Sequence, residues 1–312
     1  MVKTNSFYFP SCDGLHQIHA AQWLPEGRPR AVVQIVHGIS EYVRRYDRFA
    51  RFLASQGFLV CGEDHLGHGK TAEADGIYGW FAQEDGWSKV LTDVHTLRER
   101  MGQEYPGIPY FIFGHSMGSF LTRNYLIQWP GSVSGAILSG TGQESPLTVR
   151  LGRLAASAAR RIGRGQAVSP LINALSLGAY NRQFAPNRTS VDWISRDETV
   201  QDAYLADPLC NFLPTAGMFR DMMDGLSFIG DPQNLKKMDP STPVFFLSGD
   251  KDPVGQQGKG VEKVYEMFRA AGCTDVTCHL YRDGRHEMLN ELNYEQVQRD
   301  ILEWLEQRLQ KN

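Results

Sequence analysis

The apolar positions of this chain fall into two rhythms that alternate along most of its length. Dense runs of β-branched and aromatic residues occur at Ala31-Val32-Val33-Gln34-Ile35-Val36, Phe58 to Gly62, Tyr110 to Phe113, Ala136 to Leu138 and Val244 to Leu247, and a further strand is expected near Val276 to Tyr281. Nearly continuous apolar runs of this kind suit parallel strands covered on both faces. Between them, three-to-four spacing predicts helices over Tyr46 to Ser55 (Phe49, Phe52, Leu53), over Val90 to Tyr105 (Leu91, Val94, Leu97) and near Val261 to Phe268. A last amphipathic helix holds Val297, Ile301, Leu302 and Leu305. From Phe7, two short alternating runs flank Asp13-Gly14, a dipeptide that tolerates positive φ and predicts an antiparallel entry hairpin. Strand and helix in alternation predict an α/β fold: a mostly parallel eight-stranded sheet, right-handed crossovers and helices on both faces.

The alternation stops after Thr141. From Gln143 to Asp231 the pattern is helical, with no strand-like run and with Pro170, Pro186, Pro208 and Pro214 as punctuation. The expected organisation is a core of residues 1–142 and 232–312 with a helical lid, residues 143–231, inserted into it. In the insert, Leu147, Leu151, Leu154, Ala158 and Ile162 gather on one helical face, and Arg150, Arg153, Arg160, Arg161 and Arg164 on an adjoining one. Either the leucine face packs on the domain and the arginines are solvated, or the basic face meets anionic lipid. A second stripe, Met218, Phe219, Met222, Leu226 and Ile229, reads equally as lid packing or as the wall of an acyl-chain pocket.

Composition narrows the class. With 312 residues, 42% hydrophobic and 21% charged, the chain can bury a large core and lies far from disorder. A net charge of −3 gives no global reason to bind nucleic acid. The five cysteines include no C-x-x-C pair and are expected to be reduced thiols. The amino terminus lacks a signal-peptide pattern and no apolar run approaches the roughly 18 residues of a membrane span, so a cytoplasmic protein is expected.

The chemistry is concentrated at chain turns. Gly114-His115-Ser116-Met117-Gly118 follows a predicted strand and precedes a predicted helix, the context in which a G-x-S-x-G elbow exposes its serine. A serine hydroxyl needs a base to take its proton, and the base needs a carboxylate. His286, in Asp283-Gly284-Arg285-His286-Glu287 after the last predicted strand, fits the base better than His279, which sits within that strand. Ser248-Gly249-Asp250-Lys251-Asp252-Pro253 offers the acid; Asp252 is favoured, with Asp250 expected to cap the turn through its own backbone. The oxyanion donors are expected to be the N–H groups of Met117 and of Ile39 in His37-Gly38-Ile39. Gly69-Lys70-Thr71 lacks the leading glycine of a phosphate loop, since Asp64 stands there, and Asn290 replaces the second histidine of a helical zinc pair. His65 and His68 read as loop structure, so neither metal nor cofactor is expected.

With these residues in place, the chain resembles the monoacylglycerol lipase and lysophospholipase-like branch of the α/β-hydrolases. The resemblance rests on His37-Gly38-Ile39-Ser40-Glu41 with Arg45-Tyr46, Asp64-His65-Leu66-Gly67-His68-Gly69, the Ser116 elbow, Gly249-Asp250-Lys251-Asp252 and Gly284-Arg285-His286-Glu287. It implies an α/β-hydrolase fold, the triad Ser116, Asp252 and His286, and a lid between strands six and seven that varies with substrate. The expected activity is hydrolysis of a single-chain acyl ester, a monoacylglycerol or lysophospholipid, with His37, Met218, Phe219, Met222 and Leu226 as candidate substrate contacts. Short-chain carboxylesterases and proline-iminopeptidase-like peptidases share the scaffold, and an acyl transferase or a catalytically silent binding protein could be built on it too.

Overall fold

The structure is a computed structural model that describes residues 2–74, 76–161 and 165–310. Eight strands, β1 (Lys3–Pro10), β2 (Gln17–Leu24), β3 (Ala31–Val36), β4 (Phe58–Glu63), β5 (Tyr110–His115), β6 (Gly135–Ser139), β7 (Val244–Gly249) and β8 (Val276–Tyr281), form one sheet. Their order is β1-β2-β4-β3-β5-β6-β7-β8, antiparallel at β1, β2 and β4 and parallel from β4 onward. Because successive side chains of a strand point to opposite faces, each central strand supplies two cores. Val32, Val36, Ile112, Leu138 and Phe246 face one layer, built with α2 (Gly86–Glu104), α3 (Met117–Gln128) and the helix Lys259–Ala270. Val33, Ile35, Phe111, Phe113, Phe245 and Leu247 face the other, built with α1 (Asp47–Ser55) and the helix Tyr294–Leu309. Each large apolar side chain fully removed from water contributes about 1.5–3 kcal/mol, which explains why these strands tolerate almost no polar residues.

The entry hairpin forms, but through residues 11–16 rather than a tight two-residue turn, with Pro10 opposite Gln17. Only Gly14 takes positive φ; the Asp13 carboxylate caps the turn by accepting the Leu15 and His16 N–H groups. Between β6 and β7, helices α4 (Pro146–Ala159), α5 (Glu198–Ala206) and α6 (Ala216–Ile229) dominate, with short helical turns at Pro170–Leu175 and Leu177–Tyr180. Ser145, Asp197 and Thr215 cap the three longer helices through their side chains. Arg123 of α3, fully buried, donates to the carbonyls of Gly142 and Ile229 and to Gln143, holding both ends of the segment between β6 and β7.

The leucine face of α4 differs from one of the two readings of the sequence. Leu147, Leu151 and Leu154 are 66%, 57% and 58% exposed, while Val149 and Ala156 are the buried positions. Helical phase decides this: the side turned to α6 carries small residues, and Gly152 lets Met223 approach closely. Arg153 pairs with Asp224, and Arg160 donates to the Gln83 carbonyl in a cleft it shares with Glu84 and Asp85. Ile162 and Arg164 lie outside the described residues.

Candidate active site

Ser116 sits between β5 and α3 at φ 53° and ψ −121°, a backbone conformation that costs an L-residue on the order of 1–3 kcal/mol. Its surroundings explain why glycine flanks it. A Cβ on Gly118 would lie 1.9 Å from the Val36 carbonyl oxygen, and one on Gly114 would lie 2.3 Å from Thr122 Oγ1. The crowding that forbids these side chains pushes the serine up at the carboxyl end of the sheet.

The histidine expected as base and its expected acid come together nearby. His286 is 2% exposed and its Nδ1 lies 3.0 Å from Asp252 Oδ1, a carboxylate with no exposure at all. The His286 ring stands 4.7 Å from the ring of His115, the residue preceding Ser116. Asp252 is further held by Ser248 Oγ at 3.0 Å and by the Val254 N–H at 2.9 Å. The loops after β7 and β8 are laced together: the Lys251 N–H donates to the Gly284 carbonyl, and Asp250 accepts the Asp283 N–H. Asp250 thus braces the histidine loop instead of capping its own turn. His279 lies 45% exposed on β8, stacked on Tyr281.

Charge follows from burial and partners. Burial raises a carboxyl, but the His286 ring and the hydrogen bonds outweigh it and hold Asp252 below the usual carboxylate range. For His286, burial favours the neutral ring, and the Asp252 carboxylate, with Glu287 and Glu41, more than offsets it, so His286 is raised above 6.5. His115, by contrast, is pushed down to about 3 by burial and by His286, and is neutral.

A cavity of about 620 Å³ opens at the serine, and Ile39 and Met117 line it beside Ser116. Met117 is the first residue of α3, where an N–H has no acceptor within the helix. The Gly38 N–H is committed to Glu41 Oε1 at 2.6 Å. The remaining walls are largely apolar: Phe120 from the core, Val149, Leu151 and Ala155 from α4, and Phe219, Met222, Met223 and Leu226 from α6. Tyr180 and Trp193 close the side next to His286, the Trp193 ring 5.0 Å from the imidazole. Such a volume suits a small organic ligand. A charged cleft of about 480 Å³ between Glu84, Asp85, Arg160, Arg161 and Arg220 contains none of these residues.

Two expected substrate contacts lie elsewhere. Met218 is fully buried and is not part of the cavity wall, because the cavity side of α6 is set by Phe219, Met222, Met223 and Leu226, whose mean direction lies roughly a quarter turn round the helix from Met218. His37 is also fully buried: Nδ1 lies 2.7 Å from the Gly38 carbonyl, Nε2 accepts the His65 N–H, and its ring stacks on His65 at 3.9 Å. It supports the loop from beneath. Asp64 accepts the Lys70 and Val43 N–H groups, so the Gly69-Lys70-Thr71 stretch wraps a carboxylate.

Several site neighbours were not legible in the sequence: Ser248, Met223, Trp193, and two buried ionic knots around the histidine loop. In the first, Glu291 accepts from Arg285 N, Arg196 N, Arg196 Nε and Leu292 N, tying that loop to the segment between β6 and β7. The His286 and Glu287 N–H groups themselves donate to the carbonyls of Trp193 and Ile194. In the second, Arg45 bridges Glu41 and Glu287.

Residues 27–293 match the family model described as serine aminopeptidase, S33. The chain belongs to the serine aminopeptidase S33 family. As a member it is a serine hydrolase of the α/β-hydrolase fold. Similar chains include a monoacylglycerol lipase of Mycolicibacterium smegmatis, 28% identical over 91% of this chain and 90% of that one. The human monoglyceride lipase is 28% identical over 92% of this chain and 86% of its own length. A highly thermostable carboxyl esterase from Bacillus coagulans, solved in complex with glycerol, superposes with a TM-score of 0.92 at 30% identity, covering 99% of this chain and all of that one.

Proposed function

We propose that this S33 hydrolase cleaves single-chain acyl esters, monoacylglycerols or lysophospholipids, through an acyl-enzyme on Ser116. The observation that carries the reading is the apolar cavity that begins at Ser116 and runs between α4 and α6, long enough in volume to house an acyl chain. Ser116 Oγ attacks the ester carbonyl carbon while His286 Nε2 takes its proton. Asp252 holds Nδ1 and stabilises the imidazolium. The N–H groups of Met117 and Ile39 hold the oxyanion. The tetrahedral species collapses, His286 gives the proton to the departing alcohol, and water, deprotonated by His286, releases the fatty acid. The names of the lipase relatives and of the esterase support an ester, and the chemistry requires no cofactor or metal.

The insert acts as the lid of this site, residues 143–231 against a core of 1–142 and 232–312. Its exposed Leu147, Leu151 and Leu154, with exposed Arg150 and Arg161 nearby, suit contact with an anionic lipid surface from which the substrate is drawn. Serine at all three leucine positions should abolish co-sedimentation with anionic vesicles; unchanged sedimentation removes the lipid-contact reading.

A peptidase reading must supply carboxylates for a substrate amine. Of Glu144, Asp197 and Glu198, only Glu144 lines the cavity, while Asp197 is occupied as the cap of α5. The deciding experiment is rapid quenching during turnover of a long-chain monoacylglycerol. The acyl group that is trapped should be recovered on the peptide containing Ser116; an acyl group on another residue would overturn the mechanism.

A further inference from the structure

The loop that carries the Ile39 N–H and the loop that carries His286 come from opposite ends of the chain, yet both must hold their atoms to within fractions of an ångström for catalysis. A buried ionic bridge connects them. Arg45 lies in a short helical turn, Val43–Tyr46, directly after the first loop. Its Nη1 donates to Glu41 Oε2 at 2.9 Å and to Glu287 Oε1 at 2.8 Å, and its Nη2 to Glu287 Oε2 at 2.9 Å. The other oxygen of Glu41 accepts the Gly38 N–H at 2.6 Å and the Tyr46 hydroxyl at 2.7 Å. Gly38 is bonded to Ile39, and Glu287 to His286. The guanidinium also covers the Tyr204 ring at 4.8 Å, and the Tyr204 hydroxyl donates to the Ser40 carbonyl at 3.1 Å.

We infer that Arg45 is a positioning residue that fixes the oxyanion loop and the catalytic histidine relative to each other, with Glu41 and Glu287 as its two points of attachment. The inference rests on the proposed roles of Ser116, His286, Ile39 and Met117. Burial makes the bridge rigid: Glu41 and Glu287 are 3% and 6% exposed, and charge-assisted hydrogen bonds are short, directional and strengthened away from water. The planar fork matters as much as the charge. Only a guanidinium can serve Glu287 through two nitrogens while one of them also serves Glu41; an ammonium is a point donor on a flexible stem. Neither Arg45 nor Glu41 is part of the cavity wall, so the bridge acts on the catalytic step and not on ground-state substrate affinity.

The test pairs Arg45→Lys with Glu41→Gln, each keeping the approximate size of the side chain it replaces, and measures kcat, KM and the affinity of a trifluoromethyl ketone that forms a tetrahedral adduct with the serine. Misplacing one oxyanion donor costs on the order of 10- to 100-fold. Arg45→Lys should lose kcat by that factor with KM within about threefold, and the ketone should lose affinity in the same proportion. Glu41→Gln, which retains an acceptor for the Gly38 N–H, should lose less on both measures. If Ser116→Ala is inactive while both folded variants keep kcat and ketone affinity within about twofold of wild type, the positioning role falls and the triad stands. A loss confined to KM, or a kcat loss without loss of ketone affinity, also overturns it. Retained turnover by Ser116→Ala would instead remove the reading on which it rests. Should one variant fail to fold, the other decides.

Discussion

Replacing Asp252 with asparagine removes one charge and leaves the shape of the side chain unchanged. Oδ1 of the native carboxylate faces His286 Nδ1 at 3.0 Å and accepts the Val254 N–H, while Oδ2 accepts the Ser248 hydroxyl. The amide has two ways to sit. With its oxygen at the Oδ1 position, the imidazole keeps its tautomer, Ser248 reverses its hydroxyl to accept from the amide, and the lost quantity is the attraction between carboxylate and imidazolium. Two unit charges about 3–4 Å apart at an effective dielectric near 20 attract by about 4–5 kcal/mol. With the amide reversed, its N–H₂ confronts Nδ1, the ring protonates at Nε2, and no base faces Ser116. Both arrangements place the loss at roughly 10³- to 10⁴-fold in kcat, since each ~1.4 kcal/mol is a decade. KM should stay within a few-fold because Asp252 is fully buried and outside the cavity wall. The pH profile supplies a second reading. On the proposed mechanism the base works only when neutral, so the acid limb of the native enzyme should lie above the ordinary imidazole value of 6.5. Without Asp252, burial pulls the ring downward and the acid limb moves to lower pH. Steady-state kinetics on a soluble ester across pH, with thermal melting as the folding control, measures both. A folded Asp252→Asn enzyme with kcat within about tenfold of wild type and an unmoved acid limb would refute the reasoning.

Met222→Trp should shorten the preferred acyl chain; at about 0.8 kcal/mol per buried methylene, losing room for two costs ~15-fold in kcat/KM for the longest substrates, read from a chain-length series. Gly118→Ala forces a Cβ to within 1.9 Å of the Val36 carbonyl and should destabilise by about 3 kcal/mol or more, seen as a lowered urea midpoint. Glu63 is buried with its pKa raised by burial to about 8, so its contribution to stability is present below about 4.5 and lost as pH rises toward 8. Glu63→Gln should therefore raise the melting temperature more at pH 8 than at pH 5, and an equal change at both would contradict this. Arg45→Met leaves two buried carboxylates unpaired and should cost about 3–5 kcal/mol by denaturant unfolding, far more than Arg45→Lys.

The sheet was readable because strands buried on both faces leave no room for polar residues: β3 to β7 stand out as apolar runs with hardly an interruption. The residues of the proposed triad stand out for a related reason, since turns at strand ends carry residues that backbone geometry or chemistry demands, Gly114 and Gly118 around Ser116 foremost. What periodicity cannot supply is the phase of a helix relative to its neighbours. Leu147, Leu151 and Leu154 have the spacing of a packed face, yet α4 turns Val149 and Ala156 inward because Met223 needs the space over Gly152. Met218 and Met222 share one helix stripe, and only the second reaches the cavity. Contacts between distant segments were equally out of reach. Glu41, Arg45 and Glu287 were part of the quoted motifs, but their union depends on loops more than 240 positions apart. Ser248 and Trp193 carry no local signal, and their roles follow from the fold.

The most direct test of the central claim is hydrolysis of a matched-chain panel, a long-chain monoacylglycerol, the corresponding lysophosphatidylcholine, a short p-nitrophenyl ester and an aminoacyl naphthylamide, by wild type and by Ser116→Ala. kcat/KM should be highest on a long-chain glyceride or lysolipid, and the serine variant should lose all turnover with its fold intact. Turnover confined to the short ester or the amide, or a Ser116→Ala enzyme that still hydrolyses the lipid, would contradict the claim.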